Sequence, residues 1–202
     1  MSRAGVKLAA ALDGFELDVA GMRCADLGCH AGGFTDCLLQ RGAAAVHALD
    51  TGYGVLDYRL RNDPRVTVME RTNALHCEPP RIVDLVTIDV GWTKQRHVIP
   101  AALRWLAADP GTGMGSGGLI ITLVKPHYEL DETQRKTLLR DGAISHAEAG
   151  TVVERTVAGF EALGALAIAV LISPLTGAKS ARRGGPGNRE YLVLARSLMA
   201  NG

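Results

Sequence analysis

The stretch Cys24-Ala25-Asp26-Leu27-Gly28-Cys29-His30-Ala31-Gly32-Gly33-Phe34 decides the fold. It completes a short apolar run, Met22 to Leu27, that reads as a strand and is broken by Gly28. Gly32 and Gly33 then open a helix in which Phe34, Cys37 and Leu38 recur at helical spacing. Glycines at a strand-to-helix turn leave the backbone without a Cβ, so a ligand can approach it closely. The first N–H groups of the helix lack partners inside the helix and face that ligand. About twenty residues on, Ala45-Val46-His47-Ala48-Leu49-Asp50 reads as a second strand that ends in a carboxylate, the position from which a ribose is commonly held. Together these make a βαβ unit of the nucleoside-binding kind. The competing reading is a glycine turn in an α/β protein that holds no ligand.

The turn does not have the dinucleotide spacing. Three residues separate Gly28 from Gly32, where the NAD fingerprint allows one. This looser turn suits S-adenosylmethionine (SAM) at least as well.

The chain has 202 residues, enough for one domain with a sizeable core, and we expect residues 1–202 to form a single domain. The net charge is +1 with 21% charged residues, so a nucleic-acid partner would need a local basic patch. Met1 to Lys7 contains no apolar signal core, and the run from Ala162 to Ile172 is too short to span a bilayer. We therefore expect a cytoplasmic protein with no membrane partner. Cys24, Cys29, Cys37 and Cys77 have neither zinc-ligand nor disulfide-framework spacing and read as reduced packing residues, so no metal is expected.

Along the chain, Gly5–Phe15 reads as a helix with Leu8, Leu12 and Phe15 on one stripe; Lys7 lies off it and reads as a solvated lysine. Further strands are expected at Arg65–Glu70, Ile82–Asp89, Leu119–Val124, Leu166–Ile172 and Glu190–Ala195, with helices at Gln95–Ala107 and Ser145–Leu163. Arg71-Thr72-Asn73 closes the third strand. Asp89 closes an almost wholly apolar strand, and ligands of open α/β sheets sit at the carboxyl ends of their strands. Lys125 closes the next strand, where desolvation would disfavour its ammonium form. His127, Tyr128 and Glu129 follow in a loop, with no partner in view for the histidine. The alternation gives a mostly parallel sheet with helices on both faces, and the short link between the last two strands permits an antiparallel pair.

Several segments resemble one family. Ser2-Arg3-Ala4-Gly5-Val6-Lys7-Leu8, Gly32-Gly33-Phe34-Thr35-Asp36-Cys37-Leu38-Leu39, Glu70-Arg71-Thr72-Asn73, Ile88-Asp89-Val90, Leu123-Val124-Lys125-Pro126 and Gly187-Asn188-Arg189-Glu190 look like the TlyA, or haemolysin-A-like, methyltransferases, within the FtsJ-type ribose methyltransferases. The match runs along nearly the whole chain in order. The resemblance implies a seven-stranded Rossmann-like sheet with an antiparallel last strand, SAM as cofactor, and 2′-O-methylation of ribosomal RNA. It implies Lys7, Asp89, Lys125 and Glu190 as the catalytic set. The cofactor would meet Gly28, Cys29, His30, Gly32, Gly33 and Phe34, with Asp50 and Thr51 at the ribose, Thr72 and Asn73 near the adenine, and Asp89 beside it.

The implied set suits the chemistry. A ribose hydroxyl is a weak nucleophile, so a base must take its proton as the new bond forms. Lys125 is assigned that role, with Lys7 as neighbouring cation and hydroxyl-orienting donor. Asp89 would hold Lys125, and Glu190 would hold Lys7. Three departures from the family stand out. The small RNA-binding domain that usually precedes the serine-arginine segment is not in this sequence. Val90-Gly91-Trp92 replaces the usual serine and phenylalanine after the aspartate, and Trp92 is placed to stack on a base or sugar. An extra basic stretch, Ala178 to Gly185, offers Arg182 and Arg183 with Arg3 and Lys94 as a phosphate-contacting rim, or only a solvated loop. The alternatives are a SAM-dependent enzyme for a small-molecule hydroxyl and a SAM- or RNA-binding protein without turnover.

Overall fold

The computed structural model describes residues 2–107, 117–177 and 187–198. Its elements in order are α1 (Arg3–Gly14), β1 (Arg23–Leu27), α2 (Gly33–Gln40), β2 (Ala45–Leu49), α3 (Tyr58–Arg61), β3 (Val66–Met69), β4 (Leu85–Ile88), α4 (Gln95–Leu103), β5 (Leu119–Val124), α5 (Pro126–Glu129), α6 (Glu132–Leu138), α7 (His146–Ala158), a 3-10 turn (Glu161–Leu163), β6 (Ala165–Ile172) and β7 (Tyr191–Ser197). The seven strands form one sheet in the order β3-β2-β1-β4-β5-β7-β6. The pairings from β3 through β5 are parallel, whereas β7 runs antiparallel to both β5 and β6.

Both faces of the central strands are covered because those strands are apolar on both sides, whereas the edge strand β6 leaves Ile168, Val170 and Ile172 exposed. Leu8, Leu12, Phe34, Leu38, Leu56 and Leu60 from α1, α2, α3 and the loop before α3 pack on one face against Val46, Ile121 and Leu192. Val98, Ile99, Ala102, Val152, Val153 and Phe160 from α4, α7 and the segment after α7 pack on the other against Val86, Ile120 and Val193. Burying one leucine-sized side chain contributes roughly 1.5–3 kcal/mol, so these two layers carry the fold.

Most elements match the sequence reading to within a few residues; three differences have physical causes. Residues 126–129 form a one-turn helix, since Pro126 at the first position supplies the φ a helix needs. α6 has no buried residue and so no apolar period to read. The expected long helix ends at Ala158, where Gly159 caps it, and a separate turn follows. The glycine-rich segment before β5 and the basic stretch holding Arg182 and Arg183 lie largely or wholly outside the described residues.

Candidate active site

The sheet topology brings the carboxyl end of β5 beside the amino end of β7. Val124 faces Tyr191 across the antiparallel ladder, so Lys125 and Glu190 leave the same sheet end side by side. β4 lies on the other side of β5, and Asp89 follows its last residue. Three of the four residues implied as catalytic therefore converge through register alone. The fourth arrives on α1, whose first turn is capped by Ser2 Oγ accepting the Gly5 N–H at 3.1 Å. Lys7 is buried on that helix with Leu8 and Ala11, contrary to its reading as a solvated lysine.

The four make two ion pairs. Lys7 Nζ donates to Glu190 Oε2, and these side chains are only 11% and 4% exposed. Lys125 Nζ donates to Asp89 Oδ1 at 2.5 Å and to the Val90 carbonyl at 3.2 Å. Both amines are thus held in place by acceptors fixed to the sheet or its flanking loops. Tyr128 lies beside the second pair, its ring centroid 5.9 Å from Lys125 Nζ. Trp92 packs on Tyr128 at 4.9 Å between centroids, is 67% exposed, and holds φ +63°, a left-handed conformation rare outside glycine. His127 also packs on Tyr128, at 4.1 Å between centroids. Burial first, and the Lys125 charge second, push its pKa down to about 4, so its imidazole is neutral near pH 7.

A cleft of about 460 Å³ opens at the end of β1, bordered by Gly28, Cys29, His30, Gly33, Phe34 and Asp89, with Ser2, Arg3 and Ala4 of the α1 start as its far wall. That volume lies within the usual range for small-molecule sites. Phe34 borders the cleft while only 2% exposed, being packed in the core under α2. Gly32, Asp50, Thr51, Thr72 and Asn73 are not part of the lining. Asp50 is nevertheless tied to it: its Oδ2 accepts the His30 N–H at 2.9 Å, and its Oδ1 accepts Gly52 N–H at 2.7 Å. The Thr72 N–H donates to the Asp50 carbonyl at 3.0 Å, which brings the third strand's end alongside. Thr72 Oγ1 donates to the Glu70 carbonyl and Asn73 Oδ1 accepts the Leu75 N–H, so both side chains hold their own turn.

The glycines answer to the protein's own packing. Gly28 has φ +87°, and a Cβ there would lie 2.8 Å from the Asp89 carbonyl oxygen; glycine lets the ends of β1 and β4 meet. A Cβ on Gly33 would lie 2.4 Å from Ser2 Oγ and 2.6 Å from Ala4 Cβ, so this glycine admits α1. Two carboxylates were not singled out from sequence. Asp26 is fully buried and accepts Thr35 N–H at 3.0 Å, Thr35 Oγ1 at 2.7 Å and Thr87 Oγ1 at 3.2 Å. It holds the first turn of α2, whose N-cap Gly32 has no side chain to do so. Burial raises its pKa to about 7 against those hydrogen bonds. Glu70 accepts N–H bonds from Gly54, Val55 and Leu56 and pairs with Arg61, which together hold it down to about 2. It pins the loop that follows Asp50. The signals available were the acid within Cys24–Leu27 and the acid opening Glu70-Arg71-Thr72-Asn73.

The arrangement fits a nucleoside cofactor: a helix N-terminus free of side chain at its cap, a carboxylate one strand away, and a cleft bordered by Asp89, which accepts from the Lys125 amine. Comparison with known proteins agrees. The FtsJ-like methyltransferase family matches residues 1–196. The chain is 38% identical to the 16S/23S rRNA (cytidine-2′-O)-methyltransferase TlyA of Mycobacterium tuberculosis strain H37Rv, over 98% of this chain and 68% of that protein. It is 36% identical to YqxC of Bacillus subtilis, a candidate rRNA methyltransferase, over 96% of this chain and 64% of that one. A solved candidate hemolysin of Streptococcus thermophilus superposes with a TM-score of 0.84 at 32% identity, covering 98% of this chain and 66% of that one. The chain thus spans about two thirds of each of these relatives. A family model that matches residues 1–196, with a relative 38% identical over 98% of the chain, means that this chain belongs to the FtsJ-like methyltransferase family.

Proposed function

We propose that the protein transfers the methyl group of SAM to a ribose 2′-hydroxyl of ribosomal RNA. The observation that carries this reading is Lys125 Nζ held at 2.5 Å by Asp89 where the cleft ends. The relatives' named activity supports the RNA substrate. The cleft and its neighbouring carboxylate would hold the cofactor: the α2 first turn at its charged end, and Asp50, tied to the lining through His30, at its ribose hydroxyls. When bound, SAM supplies an electrophilic methyl group. Asp89, which borders the cleft, and the Val90 carbonyl fix the Lys125 nitrogen. Lys125 takes the hydroxyl proton while the oxygen gains its new carbon; such proton transfer is typically worth 10²–10⁴-fold. Lys7, anchored by Glu190, donates to the same hydroxyl oxygen and sets its direction, and placement of this kind supplies several kcal/mol of rate. The exposed Trp92 beside the site suits a nucleobase, since an indole face stacks on any base.

The test is transfer of labelled methyl groups from SAM to ribosomes, separated subunits and naked RNA, followed by mapping of the label. Wild type should label a ribose, and Lys125→Ala should lose at least about 100-fold while still binding SAM. Labelling of no RNA, or near wild-type transfer by Lys125→Ala, would overturn the reading.

A further inference from the structure

We propose that Glu129 is a positioning residue that holds the Asp89–Lys125 contact from behind, by capping α4 from the neighbouring segment. The inference rests on the methyl-transfer reading for its kinetic arm only. Two short segments carry the pair: residues 89–94 after β4, and Lys125 with α5 after β5. Neither supports itself. α5 is a single turn of four residues, too short to persist alone. Residues 90–94 contain no helix or strand, and α4 begins at Gln95 behind Lys94, whose side chain provides no cap.

The two segments are laced together along their length. At the reacting end, Lys125 Nζ meets Asp89 Oδ1 and the Val90 carbonyl. In the middle, Trp92 packs on Tyr128. At the far end both ties converge on Glu129: its Oε1 accepts the Gln95 N–H at 2.9 Å, and its carbonyl accepts Lys94 Nζ at 3.1 Å. Gln95 is itself anchored in the sheet, because its Oε1 accepts Thr122 Oγ1 at 2.8 Å and it is 3% exposed. Thr122, Gln95 and Glu129 therefore form a closed frame from β5 through α4 back to α5. Removing the Glu129 acceptor opens the frame at the end away from chemistry, and the Asp89 and Lys125 segments part. A shift of about 1 Å at reacting groups can cost of order 100-fold.

Glu129→Met and Glu129→Gln have the same length, and only the second keeps an acceptor for Gln95. In the cofactor-free protein, the near-ultraviolet circular dichroism lost in Trp92→Leu defines the signature of the Trp92–Tyr128 stack. Glu129→Met should lose that signature and Glu129→Gln should keep it. In transfer assays Glu129→Met should lower kcat by roughly 10- to 100-fold with the KM for SAM within about twofold, and Glu129→Gln should restore kcat to within about threefold. Should Glu129→Met fail to fold, Lys94→Met removes the second tie at a half-exposed position and should weaken both readouts in the same direction. Retention of signature and kcat by Glu129→Met, or equal impairment of Glu129→Gln, would overturn the proposal. If wild type transfers no methyl group, the methyl-transfer reading fails, and the spectroscopic arm still decides the role of Glu129.

Discussion

The Lys7–Glu190 pair separates folding from chemistry if it is dismantled in steps. Its side chains are 11% and 4% exposed, so removing one partner leaves a charge almost without water. Breaking a buried pair in this way costs about 3–5 kcal/mol. For a chain of 202 residues, at about 2–4 °C per kcal/mol, Lys7→Met or Glu190→Met should each lower Tm by roughly 6–20 °C. Replacing both residues with apolar side chains of similar length is often neutral, so Lys7→Met/Glu190→Met should be more stable than either single variant. Urea unfolding of the four proteins at one pH gives the coupling, which should reach at least about 3 kcal/mol. Methyl transfer should be lost in all three variants. A double variant less stable than either single one would show that the pair is not the coupled, desolvated unit drawn here. Recovery of transfer in the double variant would remove Lys7 and Glu190 from the chemistry.

Asp26 has its pKa raised from 3.8 to about 7 in the fold, so its ionised form is penalised there, and its contribution to stability falls as pH rises through that window. Asp26→Asn should therefore gain on wild type between pH 4 and pH 7, by up to about 4 kcal/mol from urea midpoints, and a difference independent of pH would refute this. Glu70 behaves in the opposite sense: its pKa is depressed from 4.5 to about 2, so its stabilisation is present above pH 4.5 and is lost as pH falls through about 2. The advantage of wild type over Glu70→Gln in thermal unfolding should accordingly shrink as pH is lowered from 5 toward 2; a constant gap would contradict the assignment.

The parts of this protein legible from sequence are those whose cause is local. Leu119–Val124 is uniformly apolar because β5 is covered on both faces, and its bounds emerge to the residue. Gly28 and Gly32 announce a turn, yet the reason for them is not local: the space their Cβ atoms would fill belongs to Asp89, and to Leu56 and Leu60. Lys7 reads as solvated because its partner is 183 residues away, and no period along α1 reveals it. Only resemblance to a family moved Lys7 and Glu190 into the site. α6 escaped because it buries nothing, although its capping box, Asp131 with Gln134, was there to be read. Glu129 had no individual signal at all, since its role is to receive an N–H from a helix that begins 34 residues earlier.

The insertion of β7 between β5 and β6 has a consequence for biosynthesis. Until Tyr191–Ser197 has emerged, the nascent polypeptide exposes the edge of β5, and the ammonium on α1 has no counterion. Synthesis must therefore pass Tyr191–Ser197 before Lys7 can be locked in place, and a chain released before that point by ribosome stalling or a premature stop codon carries an unpaired β5 edge on which other strands can aggregate.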